Sequence, residues 1–121
     1  HEGPQRIAKH SGHVELQPGM IISNEPGYYK TGEYGIRIEN LISVVNVSNE
    51  DTSEQNVLAF ETLTLAPIDI SLIDLNIMTK EECSWLNAYH ETVRDKLTSK
   101  LCNWPEVVDW LFTATKPIKV E

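Results

Sequence analysis

Apolar residues recur at every second position near the middle of the chain and at every fourth position in its last third. That change of period limits the folds open to it. From Ile36 to Val47 the chain is rich in β-branched residues and reads as a strand. Alternation sends Ile36, Ile38, Asn40, Ile42, Val44 and Asn46 to one face, and Arg37, Glu39, Leu41, Ser43, Val45 and Val47 to the other. Further on, Trp85, Tyr89, Val93, Leu97 and Leu101 recur four apart with Leu86 beside them, which predicts an amphipathic helix of about five turns. Thr79-Lys80-Glu81-Glu82 before it is a capping box, with Thr79 accepting from the backbone and Glu82 reaching back. Strands first and helices after predict an α+β class.

The remaining elements fit between these signals. Residues 1–19 are rich in Gly, Pro, His and Ser and read as loop, with a turn at Pro18-Gly19. Met20 to Glu25 is expected to be a short, largely buried strand. Pro26-Gly27 breaks it, Tyr28 to Lys30 continues on the other side, and Thr31-Gly32-Glu33 is a turn. Ser48 to Asn56 is a polar loop, and Val57 to Leu65 is another strand ended by Pro67. Pro105 suits the first turn of a second helix, with Val107, Val108, Leu111 and Phe112 on its apolar side and Pro117 beyond it. Strands are therefore expected within 1–66 and a helical tail within 67–121.

Composition narrows the function. Ten Lys and Arg against 18 Asp and Glu give a net charge of −8, and the basic residues are scattered. Nucleic acid is therefore not an expected partner, because phosphate binding needs a clustered basic surface. No apolar run approaches the roughly 20 residues a membrane helix needs. Cys83 and Cys102 have neither CxxC nor zinc-ligand spacing and are expected to be free thiols. GxSxG, GxGxxG and P-loop patterns are absent. Trp85, Tyr89, Trp104 and Trp110 are expected to pack helices onto a core. The chain opens on His1-Glu2-Gly3-Pro4 without Met, as a cleavage product or a piece of a longer protein would.

Two carboxylates stand in unusual places. Glu39 lies inside a strand of mostly apolar neighbours, and Glu25 ends an apolar strand just before Pro26-Gly27. A carboxylate buried in a strand costs several kcal/mol unless it is paired or binds a metal. Glu39 could pair with Arg37 on the same face or lie on an exposed sheet face, and Glu25 could be a solvated turn residue. Together the two also suit a hard or borderline cation such as manganese or magnesium. Position alone leaves these readings open. His10 and His13 read as a solvated loop pair without a third ligand nearby. His90 is expected at the helix boundary. His1 is a candidate proton donor or hydrogen-bond partner.

Several blocks carry a resemblance. They are His1-Glu2-Gly3-Pro4; Leu16-x-Pro18-Gly19-Met20; Asn24-Glu25-Pro26-Gly27-Tyr28-Tyr29; Gly35-Ile36-Arg37-Ile38-Glu39-Asn40; Phe60-Glu61-Thr62-Leu63-Thr64-Leu65 with Pro67-Ile68; and Trp85-Leu86-Asn87-x-Tyr89-His90. In this order they resemble the C-terminal end of cytosolic-type Xaa-Pro aminopeptidases, which are pita-bread metallopeptidases. The resemblance implies the C-terminal part of a pita-bread fold, with antiparallel strands followed by two C-terminal helices. It implies a site of two metal ions, usually Mn2+, in which Glu25 and Glu39 are ligands and Glu39 bridges both metals. By the same resemblance His1 contacts substrate and shuttles a proton, while Arg37 and Tyr29 orient the site.

The implied partners are peptides with proline at the second position, the implied location is cytoplasmic, and self-association is expected to cover an open sheet edge. Such bonds need a dedicated enzyme, because the Xaa-Pro amide has no N–H to grip. The family's two aspartates and metal-binding histidine lie upstream of the resembling stretch. The 121 residues alone are thus expected to be inactive and to hold metal weakly or not at all. A prolidase-type dipeptidase and a non-catalytic pita-bread peptide binder are the alternatives. The Trp85-to-His90 block and the C-terminal tail favour the aminopeptidase, and retention of both glutamates speaks against a binder.

Overall fold

The structure is a computed structural model in which residues 3–9, 12–47 and 57–120 are described. The expected loop over Ser48 to Asn56 lies outside them. The chain divides into two compact units, His1–Thr64 and Leu65–Glu121.

In the first unit, β1 (Ile21–Asn24), β4 (Asn40–Asn46) and β5 (Leu58–Thr62) form an antiparallel sheet with β4 in the middle. A two-stranded ribbon pairs β2 (Gly27–Lys30) with β3 (Tyr34–Arg37), turning at Gly32 with φ of 76°. The turn expected at Pro18-Gly19 forms, with Gly19 at φ of 88° and the Met20 N–H donating to Gln17 O at 3.1 Å. The expected alternation holds along β4: Asn40, Ile42 and Val44 are buried, and a small core joins Ile22, Ile42 and Val44 to Leu16 and Met20. β1 is less buried than expected, because Ile21 shares the opposite, open face.

Ile36 to Val47 is not one strand. It breaks at Ile38-Glu39, where β3 ends and β4 begins. The cause lies in the partner strand. Asn24 stands opposite Asn40 and Gly27 opposite Arg37, so one register runs through both pairings and places Pro26 opposite Ile38. The Ile38 N–H donates to Pro26 O at 3.2 Å, but Pro26 has no N–H to return the bond. One long hairpin is thereby split in its ladder while its register is kept.

In the second unit, α1 (Lys80–Leu97) starts at the capping box, with Glu82 N–H donating to Thr79 Oγ1 and Thr79 N–H to the Glu82 carboxylate. α2 (Pro105–Ala114) begins on Pro105. Leu86, Tyr89, Val93 and Leu111 form the core, covered by Leu65, Ile68, Ile70, Ile73, Met78, Leu97, Leu101 and Ile118. The tail returns to α1, where Asn87 accepts from the Ile118 N–H and donates to its carbonyl, both at 2.9 Å.

The buried stripe of α1 differs from the every-fourth series. Residues four apart advance about 40° beyond one full turn, so a strict series leaves the face it starts on. The buried line is Cys83, Leu86, Tyr89, His90 and Val93, and Trp85 lies outside it with its ring stacked on Tyr89. His90 is therefore interior rather than at the boundary. Trp104, Trp110 and Phe112 are exposed as well, so of the four aromatics expected in a core Tyr89 alone is buried. Cys83 and Cys102 are both free thiols. Among the described residues no helix is long and apolar enough to cross a membrane.

Candidate metal centre

The register places Glu25 directly opposite Glu39, one step on from the Asn24 and Asn40 pair. Pro26 and Ile38 occupy a hydrogen-bonded position, so Glu25 and Glu39 occupy the adjoining narrow one, where facing Cα atoms lie about 4.5 Å apart. Cross-strand neighbours share a face, and this face is the one turned away from the Ile22, Ile42 and Val44 core. Two like charges directly opposite each other are destabilising unless a cation stands between them.

Arg37 supplies one. It lies two residues before Glu39 on the same face, with Nη2 3.1 Å from a Glu39 oxygen and Nη1 3.5 Å from a Glu25 oxygen. The Ser23 hydroxyl, two residues before Glu25, donates to its other oxygen at 2.6 Å. Neither carboxylate is enclosed: the Glu25 side chain is 24% exposed and the Glu39 side chain 40%. The burial cost expected for Glu39 thus does not arise. What singles the pair out is their facing position.

Tyr29 stands on this face too, opposite Gly35. A Cβ at Gly35 would come 2.7 Å from Tyr29 Cδ1, and one at Gly27 would come 2.8 Å from its hydroxyl. The ring therefore lies over both glycines, with its hydroxyl at the Gly27 end, two residues on from Glu25 in the chain. Sequence reasoning missed Ser23 as a partner of Glu25. Its two-residue spacing from Glu25 was the available signal. His1 and His10 lie outside the described residues, and His13 is exposed in the loop.

As a donor set, two facing carboxylates suit a hard or borderline divalent ion. They supply only part of what two ions need. Among the described residues no three His, Cys, Asp or Glu side chains gather to hold an ion.

The chain matches the description "Metallopeptidase family M24" over residues 1–46 and "C-terminal region of peptidase_M24" over residues 56–118, more than half its length. The chain belongs to the M24 family of metallopeptidases. Among M24 relatives it is similar to aminopeptidase P2 of Arabidopsis thaliana, with 41% identity over 98% of this chain and 17% of the relative. It is similar to aminopeptidase P1 of Lotus japonicus, with 40% identity over 99% of this chain and 18% of the relative. Among solved structures it matches an X-prolyl aminopeptidase from Caenorhabditis elegans, described as a cytosolic enzyme with a di-nuclear active site. That match has a TM-score of 0.83 and 38% identity, and covers 98% of this chain and 19% of that one. The fold is thus the C-terminal part of the pita-bread architecture, and the chain spans about a fifth of the length of these M24 relatives.

Proposed function

We propose that the chain is part of a cytoplasmic dinuclear-metal aminopeptidase that removes the residue preceding proline from the N-terminus of peptides. The observation that carries this reading is the facing pair Glu25 and Glu39 with Arg37 reaching both. In this reading Glu25 and Glu39 would both hold metal, two Mn2+ ions in the intact protein, and the remaining ligands would come from elsewhere in it. What such ions supply, when bound, is Lewis acidity toward the scissile carbonyl and an attacking water. The chain's own residues do the rest. Ser23 and Arg37 fix the carboxylate oxygens, so that the ligands need not reorganise when metal enters. Tyr29 sits beside them on its glycine seat, and His1 meets the substrate and moves a proton. Copies of the protein associate, covering the open sheet edge.

The test uses the intact natural protein with manganese and two peptides that differ only in Pro or Ala at the second position. Release of the first residue from the proline peptide is expected, with little from the alanine peptide. The 121-residue segment alone should release neither. Binding of the proline peptide without cleavage would replace this reading with a peptide-binding module. Turnover by the segment alone would show that its two glutamates need no outside ligands.

A further inference from the structure

Two consecutive residues of α1 read the main chain of the stretch that opens the second unit. The Tyr89 hydroxyl accepts from the Ala66 N–H at 3.3 Å and donates to the Ala66 carbonyl at 2.9 Å. His90 Nε2 accepts from the Ile68 N–H at 3.0 Å. The His90 ring is 1% exposed, and its Nδ1 has no hydrogen-bond partner among the described residues. An imidazole that accepts at Nε2 must be neutral, with its proton on Nδ1. A second proton would go on Nε2 and face the Ile68 N–H donor to donor, inside a site that water does not reach.

We propose that Tyr89 and His90 form a clasp on the main chain of residues 66–68, and that the clasp opens when the His90 ring takes up a second proton. The surroundings favour the neutral ring. Burial holds the His90 pKa below its usual value, and the positive charge of Arg94, one turn further along α1, acts the same way. On the clasped stretch the nearest carboxylate in sequence, Asp69, is taken up by Ser71, whose N–H and hydroxyl donate to it at 2.9 and 2.7 Å. On α1 itself the neighbouring ring is Tyr89, with centroids 5.9 Å apart. Because the folded state depresses the His90 pKa, the stability it confers is complete above the unfolded value of 6.5 and is lost as pH falls through the lower folded value.

The position gives the clasp a use. The stretch it holds follows directly on Leu63 and Thr64, and these two engage both polar main-chain groups of Leu41. The Leu63 N–H donates to Leu41 O, and the Leu41 N–H donates to Thr64 Oγ1, each at 2.8 Å. Leu41 is two residues from Glu39. Acid thus loosens the chain just beyond the two residues that hold Leu41.

Hydrogen exchange of the peptide spanning residues 65–73, followed by mass spectrometry in the intact natural protein and corrected for intrinsic exchange, reads the clasp. Protection is expected to fall between about pH 7.5 and about pH 5.5, by up to about tenfold, since one pH unit below the unfolded pKa corresponds to at most about a factor of ten. His90→Gln keeps an acceptor that does not titrate, so its protection should be the same at both pH values. His90→Leu should be poorly protected at both. Wild-type protection that does not change with pH overturns the proposal. So does a His90→Gln variant that keeps the acid loss. If His90→Leu fails to fold, the comparison of wild type with His90→Gln still decides.

Discussion

Arg37 stands between two carboxylates that the hairpin register brings face to face, 3.1 Å from one and 3.5 Å from the other. Its side chain is half exposed, so solvent screens both contacts, and ion pairs of this kind contribute about 0–1 kcal/mol. In the proposed metal site it would aim the oxygens, and removing such a partner typically weakens metal binding about 10–100-fold. Arg37→Met in the intact natural protein should therefore shift the melting temperature little while lowering manganese affinity by that factor in a calorimetric titration. Unchanged affinity would remove Arg37 from the site. At this scale the sequence was informative in part. That Arg37 and Glu39 share a face follows from alternation alone. That Glu25 joins them could not be read, because it depends on which residue of one strand meets which residue of another. Ser23 was within reach of the sequence, since it shares the face of Glu25 two residues away, whereas the Tyr29 seat depends on Gly35 across the ribbon as well as Gly27 two residues away.

Elements were legible where their signals are local. The capping box at Thr79, Pro105 at the start of α2 and the Gly19 and Gly32 turns each act within four residues, and each forms where the sequence predicts. The break at Ile38-Glu39 was not legible in the strand that breaks, since its cause is Pro26 in the partner. The stripe of α1 was legible apart from two positions: Leu86, Tyr89 and Val93 are buried and Leu97 and Leu101 pack against them as expected, but Trp85 is exposed and His90 is buried. Leu86 is 2% exposed and packs with Tyr89, Val93 and Leu111, so Leu86→Ala should cost about 2–5 kcal/mol. Urea unfolding of the variant measures this. A loss below about 1 kcal/mol would mean that the neighbours collapse into the space, or that Leu86 is not central to the core.

At the scale of the molecule, the chain spans about a fifth of the length of its M24 relatives. Its fold class was readable from the order of periods, and the C. elegans structure shares that arrangement over 98% of the chain. The completeness of the proposed metal site was not readable from spacing, because in the proposed reading its other ligands come from elsewhere in the intact protein. The central claim is that Glu25 and Glu39 bind metal together. The most direct measurement is the metal content of the intact natural protein after dialysis, by elemental analysis, for the wild type and for Glu25→Gln and Glu39→Gln. The account predicts two ions per wild-type chain and a loss of metal in each variant, larger for Glu39→Gln. Both variants retaining two ions per chain would contradict it.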